Sequence, residues 1–268
     1  MGEVVPIRTP TRIKAGLPPA GSPRVWNTAT GKPGVLIAVP SLTGNIRWSI
    51  AHQFAKLGQL SNHPGHPFEY STLFKICVNP IQYARNQIVD AFMDNPAFEW
   101  LLMIDDDQEV PDNFWTLLMV EAADIVLGMT FCWVGTDYVQ GRLRVNQYTL
   151  NDKQQCVSIK PRHQSIPYEI DIGGTGCMAI RRRVIEKIGR NPFQFTHEDN
   201  GKVKASEDVG FCIKAKAAGF RIAVHPQVVF GHIKPLDLLQ VSQWAESRFA
   251  MMSNKEPEDP ARLVSISQ

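Results

Sequence analysis

"WLLMIDDDQEVP", residues 100–111, carries five apolar or aromatic side chains straight into three consecutive aspartates. A short apolar run bounded by turn residues reads as a buried strand, so Asp105, Asp106 and Asp107 sit at its tip. Three adjacent carboxylates repel one another unless a cation neutralises them. Ligands of open α/β sheets bind beyond the carboxyl ends of the strands, and hard oxygen donors there suit Mg²⁺ or Mn²⁺, with substrate phosphates completing the coordination. If strand alternation continues, Asp105 and Asp107 share a face and Asp106 points elsewhere. The plain alternative is a solvated acidic turn. Its place at the end of an apolar strand favours the metal.

Outward from this stretch the chain alternates strand and helix. "VLIAVP" (35–40) is a short buried strand closed by proline. "TGNIRWSIAHQFAKLG" spaces Ile46, Ile50, Phe54 and Leu57 for a helix with Gly58 as its stop. A strand near "YSTLFKICV" follows, then a helix in "ARNQIVDAFMDNP" ended by Pro96, the 100–104 strand, a helix in "DNFWTLLMVEAA" capped by Asp112 or Asn113, and a strand in "DIVLGMTF". This order predicts an α/β fold with a mixed, mostly parallel central sheet flanked by helices. From about residue 135 the pattern turns polar and reads as hairpins or loops. Beyond it come "YEIDIGGTGCMAI", a helix "RRRVIEKIG", a helix "EDVGFCIKAKAAG" with Gly219 as C-terminal cap, and strands "RIAVH" and "QVVFGHI". The expected organisation is a basic arm at 1–34, one domain at 35–256 with a nucleotide-binding part at 35–134 and an acceptor part at 135–256, and a weakly ordered tail at 257–268.

With 268 residues and 44% hydrophobic content the chain can bury a large core. Its longest apolar runs fall short of the roughly 20 residues of a membrane span, and its N-terminus lacks a signal-peptide stretch. A cytoplasmic setting is expected, that of the host if the gene is a phage's. Cys77, Cys132, Cys156, Cys177 and Cys212 form no C-x-x-C pair and read as buried free thiols. The net charge of +2 gives no strong nucleic-acid field, although residues 1–34 set Arg8, Arg12, Lys14, Arg24 and Lys32 against Glu3 alone.

Three further motifs carry chemistry. In "SEDVGF" Glu207 and Asp208 open a helix capped by Ser206, a position that the helix dipole favours for acids without any catalytic role. His232 leaves the end of an apolar strand in "VVFGHIKP", where neutral imidazole is a capable metal ligand. Gly173, Gly174 and Gly176 permit close backbone approach to a ligand, or make an ordinary turn. Their spacing is wrong for a dinucleotide fingerprint.

In chain order, "IAVPS", "YARNQIV", "WLLMIDDDQEVP", "DIGGTGCMAIRRRV", "SEDVGFCIKAKAAGFRIAV" and "FGHIK" together resemble a GT-A fold glycosyltransferase, close to glycosyltransferase family 2, over roughly residues 34–234. The middle insert and the N-terminal arm fall outside the resemblance. It implies that Pro40 and Ser41 contact the nucleotide and that Arg85 lies near the base or diphosphate. Asp105 would lie toward the ribose. Asp107, with Asp105 and His232, would hold the divalent ion, and Asp106 and Asp107 could exchange roles because the sequence has three aspartates. Gly174 and Thr175 would lie beneath the donor sugar and the acceptor. Asp208 is the implied general base, with Glu207 the other candidate. No Q-x-x-R-W segment of the processive synthases is present, so a single transfer is expected.

The resemblance thus implies Mn²⁺ or Mg²⁺, a nucleotide-sugar donor with a UDP-sugar favoured, and transfer to an acceptor hydroxyl. Similar proteins occur in bacteria and bacteriophages, where some modify hydroxymethylated bases in DNA, so DNA stands as an acceptor beside glycans, lipids and proteins. A nucleotidyltransferase would carry a glycine-rich or lysine-bearing loop after the first strand, and "AVPSLTGNIRW" has none. An inactive nucleotide-sugar or nucleic-acid binding module is the alternative of another class.

Overall fold

The computed structural model describes residues 31–76, 78–134, 142–152, 155–160 and 164–233, with 242, 245 and 246. The elements are β1 (Gly34–Ser41), α1 (Trp48–Asn62), β2 (Glu69–Ile76), α2 (Ile81–Asp94), β3 (Phe98–Ile104), β4 (Gln108–Glu109) and β5 (Ile125–Val134). They continue through β6 (Arg142–Val145), β7 (Gln147–Leu150), β8 (Cys156–Ser158), β9 (Tyr168–Ile170), β10 (Ile172–Gly173), β11 (Cys177–Arg181) and α3 (Arg182–Ile188), then β12 (Thr196–His197), β13 (Val203–Ala205), α4 (Glu207–Ala217) and β14 (Ile222–His232). The chain divides into two compact units, residues 1–132 with 145–233 and residues 133–144 with 234–268. The first carries everything that follows. The arm up to residue 30, the tail, and Cys77 lie outside the described residues.

The main sheet runs in the order β2-β1-β3-β11-β5-β14-β4, with β9 also on β14. β1 is parallel to β2 and β3, β14 is parallel to β5, and β11 is inserted antiparallel between β3 and β5. Five strands therefore point one way, as the strand and helix alternation predicts, and their carboxyl ends meet along one edge.

Alternation along β1 and β3 explains the two-sided core. Val35, Ile37, Val39, Trp100, Leu102 and Ile104 pack on the α1 face with Ile50 and Leu57, whereas Leu36, Ala38, Leu101 and Met103 pack on the other face with α2, α3 and α4. Both sets are buried, so these strands read as continuous apolar runs. Each fully buried Val, Leu or Ile contributes about 1.5–3 kcal/mol.

Several local expectations change. α1 continues through Gly58 to Asn62, because Leu57 and Ser61 are buried against the sheet; it ends at His63, which precedes Pro64 and is extended at ψ 125°. The helix expected in "DNFWTLLMVEAA" is a six-residue 3-10 helix, Phe114–Met119, and Asn113 donates its side chain to Gln227 O instead of capping it. "RIAVH" and "QVVFGHI" form one strand, β14, whose register against β5 shifts between His225 and Val229, around a proline that cannot donate to the ladder. Part of the polar middle forms a three-stranded sheet, β10-β7-β8. Cys156 is exposed, against the expectation of buried thiols, whereas Cys177 and Cys212 are buried.

Candidate active site

β3 ends at Ile104, and the next residues turn, with Gln108 N donating to Asp105 O at 3.2 Å. Strand alternation therefore stops before the aspartates. Asp105 and Asp107 do not share a face as a strand would require; each of the three carboxylates meets a different element. Asp105 Oδ1 accepts from Arg85 Nη2 at 2.9 Å, Asp106 Oδ2 accepts from Ser41 Oγ at 2.6 Å, and Asp107 Oδ2 lies 3.2 Å from His232 Nε2.

The last contact is built by the sheet. β4 pairs antiparallel with the end of β14, Gly231 against Glu109 and His232 against Gln108, and Ile233 N donates to Asp107 O at 2.9 Å. A Cβ on Gly231 would stand 2.7 Å from Glu109 Cβ, so the close pairing requires glycine. His232 Nδ1–H donates to the Phe131 carbonyl at 2.7 Å, which turns the Nε2 lone pair toward Asp107. Two acceptors facing each other at this distance suit a shared proton or a divalent cation, and an imidazole anchored through its second nitrogen is the usual form of a metal-bound histidine. The oxygen and nitrogen donors fit Mn²⁺ or Mg²⁺. Among the described residues no group of three His, Cys, Asp or Glu side chains is gathered as a metal site, and Asp105 is engaged by Arg85. Further ligands would therefore come from bound phosphate and water, as Mg²⁺ chemistry ordinarily has it.

Arg85, on α2 and 4% exposed, bridges Asp105 to Glu207, to which its Nη1 donates. Burial works against the guanidinium charge, but Asp105 and Glu207 outweigh it and hold Arg85 above its ordinary value. Burial pushes both carboxyls up, and Arg85 pulls them back. Glu207 is thus a buried partner of Arg85. Its neighbour Asp208 faces a pocket of about 120 Å³. Ser206 occupies the N-cap position of α4 without capping it: its hydroxyl donates to Asp208 Oδ1, which also accepts from Val209 N at 2.8 Å.

That pocket is lined by Arg85, Asp105, Gln108, Thr130, Cys132, Asn146, Thr175, Gly176, Glu207, Asp208 and His232. A second space, a cleft of about 340 Å³, is lined by Thr43, Asn45, Ile46, Arg47, Asp106 and Asp107. Of the residues expected from sequence, Arg85, Asp105, Asp106, Asp107, Thr175, Glu207, Asp208 and His232 gather around these two spaces. Gly174 adjoins the pocket, Ser41 reaches the cleft through Asp106, and Pro40 is buried within β1. Sequence reading missed Arg47, Gln108, Thr130 and Asn146. Arg47 precedes α1 in the loop after β1, a position at which a cation can meet phosphate, and its buried Nε has no hydrogen-bond partner among the described residues. Gln108 directly follows the three aspartates. Asn146 has no local signal at all.

No protein-family model and no curated protein matches the chain. Among solved structures, A197 from STIV superposes with a TM-score of 0.49 at 19% identity, covering 75% of this chain and 86% of that one. GalNAc-T7 with UDP, GalNAc and Mn²⁺ gives 0.42 at 11%, covering 87% of this chain and 53% of that chain, about half its length. The catalytic domain of Drosophila β1,4-galactosyltransferase 7 with xylobiose gives 0.43 at 14%, covering 76% and 71%. At this distance none of these likenesses bears on activity or on residue roles.

Proposed function

We propose that the chain is a metal-dependent glycosyltransferase that moves a sugar from a nucleotide-sugar donor, a UDP-sugar first, to an acceptor hydroxyl. The observation that carries this reading is that the aspartate turn lines two spaces, Asp105 the pocket and Asp106 with Asp107 the cleft. Asp106 and Asp107 line a cleft with Arg47 and Asn45, while His232, the partner of Asp107, lines a pocket with Asp208. A donor with its nucleotide and diphosphate in the cleft and its sugar in the pocket would cross the Asp107–His232 pair at the phosphate.

Each residue then has a task. Asp107 and His232 would hold Mn²⁺ or Mg²⁺, which when bound supplies Lewis-acid stabilisation to the departing diphosphate. Arg47 adds a fixed positive charge beside it. Asp208, its Oδ1 held by Ser206 and Val209, takes the proton of the attacking hydroxyl. Glu207, tied to Arg85, is assigned to position and not to the proton transfer. Asp105, through Arg85, links the donor side of the site to α4.

Within this reading DNA carrying a hydroxymethylated base is the acceptor to try first, supported by the excess of Arg and Lys over Glu3 in residues 1–34. Lys32 is one of these cations, and it donates to the carbonyls of Ser61 and His63 near the end of α1. No described helix is long and apolar enough to cross a membrane, and a cytoplasmic setting, where nucleotide sugars are made, suits the reading. The test is a thermal-shift and hydrolysis panel of UDP-, GDP-, CDP- and TDP-sugars with and without Mn²⁺. Stabilisation that needs both metal and one nucleotide is expected, together with slow metal-dependent hydrolysis. Failure of every donor to bind overturns the reading; binding without turnover leaves an inactive module.

A further inference from the structure

Among the described residues, the pocket beside Asp208 contains one polar side chain from the segment outside the glycosyltransferase resemblance. Asn146 lies between β6 and β7, and its backbone is fixed on both sides: its N–H donates to Thr130 O at 3.3 Å, and its carbonyl accepts from Gly174 N at 3.2 Å. The side-chain amide lines the pocket and makes no hydrogen bond to any described residue. It lies across Gly174 so closely that a Cβ there would stand 1.8 Å from Asn146 Nδ2. The same point is 3.5 Å from Asp208 Oδ2. The amide and the carboxylate oxygen not held by Ser206 and Val209 thus both stand beside Gly174 at the wall of the same pocket, where one bound hydroxyl can meet the two.

We infer that Asn146 orients the attacking hydroxyl, donating from Nδ2 to the nucleophile's oxygen while that hydroxyl donates its proton to Asp208 Oδ2. This rests on the transferase reading and on Asp208 as its base. In the step, the nucleophile's oxygen bonds to the anomeric carbon, its proton passes to Asp208, and the bond from that carbon to the diphosphate breaks with its electron pair leaving on phosphate. An amide in this place aims a lone pair of the nucleophile without competing for the proton, and alignment of this kind acts on the rate of the chemical step. Gly174 has a definite part: any side chain there displaces the amide.

The experiment uses the full chain, Mn²⁺ and the UDP-sugar that the panel selects, with water as nucleophile, and compares wild type, Asn146→Ala, Gly174→Ala and the double variant. Asn146→Ala is expected to lower kcat for hydrolysis at least tenfold, while the donor KM and the Kd for UDP change less than twofold. Gly174→Ala should reproduce this. The double variant should be no worse than Asn146→Ala, because the added methyl then enters the space the amide left. Unchanged kcat in Asn146→Ala overturns the inference, as does a raised KM with kcat unchanged, which would make Asn146 a donor-binding residue. Additive losses in the double variant overturn the part given to Gly174. If wild type binds no nucleotide sugar at all, the transferase reading falls and takes the inference with it, a result distinct from a wild type that turns over beside an unaffected variant.

Discussion

At the scale of single residues, the site depends on how buried charge is shared. Arg85 is the only cation that the described contacts give to Glu207, so Arg85→Met leaves that buried carboxyl uncompensated and should cost about 3–5 kcal/mol in urea unfolding. The pH dependence follows from the direction of the shift. Glu207 is raised by burial in spite of Arg85, so its stabilising contribution is full below the unfolded pKa and is lost as pH rises through the folded one. Removing Arg85 raises the carboxyl further. The variant should therefore lose more stability than wild type as pH rises above the ordinary carboxylate range. Adding Glu207→Gln to Arg85→Met should reduce that extra slope to the share of Asp105, which Arg85 also holds down, and an unchanged slope would show that Glu207 does not titrate there. For catalysis, Asp208→Asn should lower hydrolysis on the order of 100-fold or more with the donor still bound, as expected for loss of a general base. Glu207→Gln keeps a hydrogen-bond acceptor for Arg85 and should lose far less. Equal losses would return the base assignment to the pair as a whole.

At the scale of elements, the strands were plain in the sequence because apolar runs such as 35–40 and 100–104 are buried on both faces. Helix ends were less plain. Gly58 looks like a stop, but burial of Leu57 and Ser61 carries α1 beyond it to the residue before Pro64. The site was legible as a set of residue types and illegible as a set of contacts. Three aspartates at a strand end announce themselves, but their partners lie 65, 20 and 125 residues away, in β1, α2 and β14. Only the turn after Ile104 decides which carboxylate meets which. Asn146 could not be found from sequence, since the backbone bonds that bring it to Gly174 span two separate segments. The pairing of β4 with β14 makes the most exposed prediction at this scale. Gly231→Val places a side chain where Glu109 Cβ now packs, so β4 should detach at a cost of about 1–3 kcal/mol. With it the Asp107–His232 contact goes, and Mn²⁺ should no longer enhance UDP-sugar binding in calorimetry. A variant that folds and keeps its metal dependence would show that the pair holds no ion.

At the scale of the molecule, donor and acceptor are expected to be handled by separate parts of the chain. In the proposed reading donor binding belongs to the edge of the sheet, and a ligand that binds only the folded state stabilises it by about 2.7 kcal/mol at a hundredfold excess over Kd. Residues 1–30 carry Arg8, Arg12, Lys14 and Arg24 against Glu3, and the described residues that line the cleft and the pocket run from Thr43 to His232. Truncating them should therefore leave the melting temperature and the Mn²⁺-dependent affinity for a UDP-sugar unchanged. Duplex DNA bearing hydroxymethylated bases should behave differently, because each phosphate neutralised by a cation adds about 0.9 to the slope of log affinity against log salt. Loss of four cations should flatten that slope by up to about 3–4, read by fluorescence anisotropy over a salt series. The same slope with and without residues 1–30 would remove the arm from DNA recognition, and with it the charge argument for DNA over a glycan. A flattened slope with unchanged donor binding would put the acceptor's backbone on the arm, leaving the pocket between Asn146 and Asp208 to select the hydroxyl that reacts.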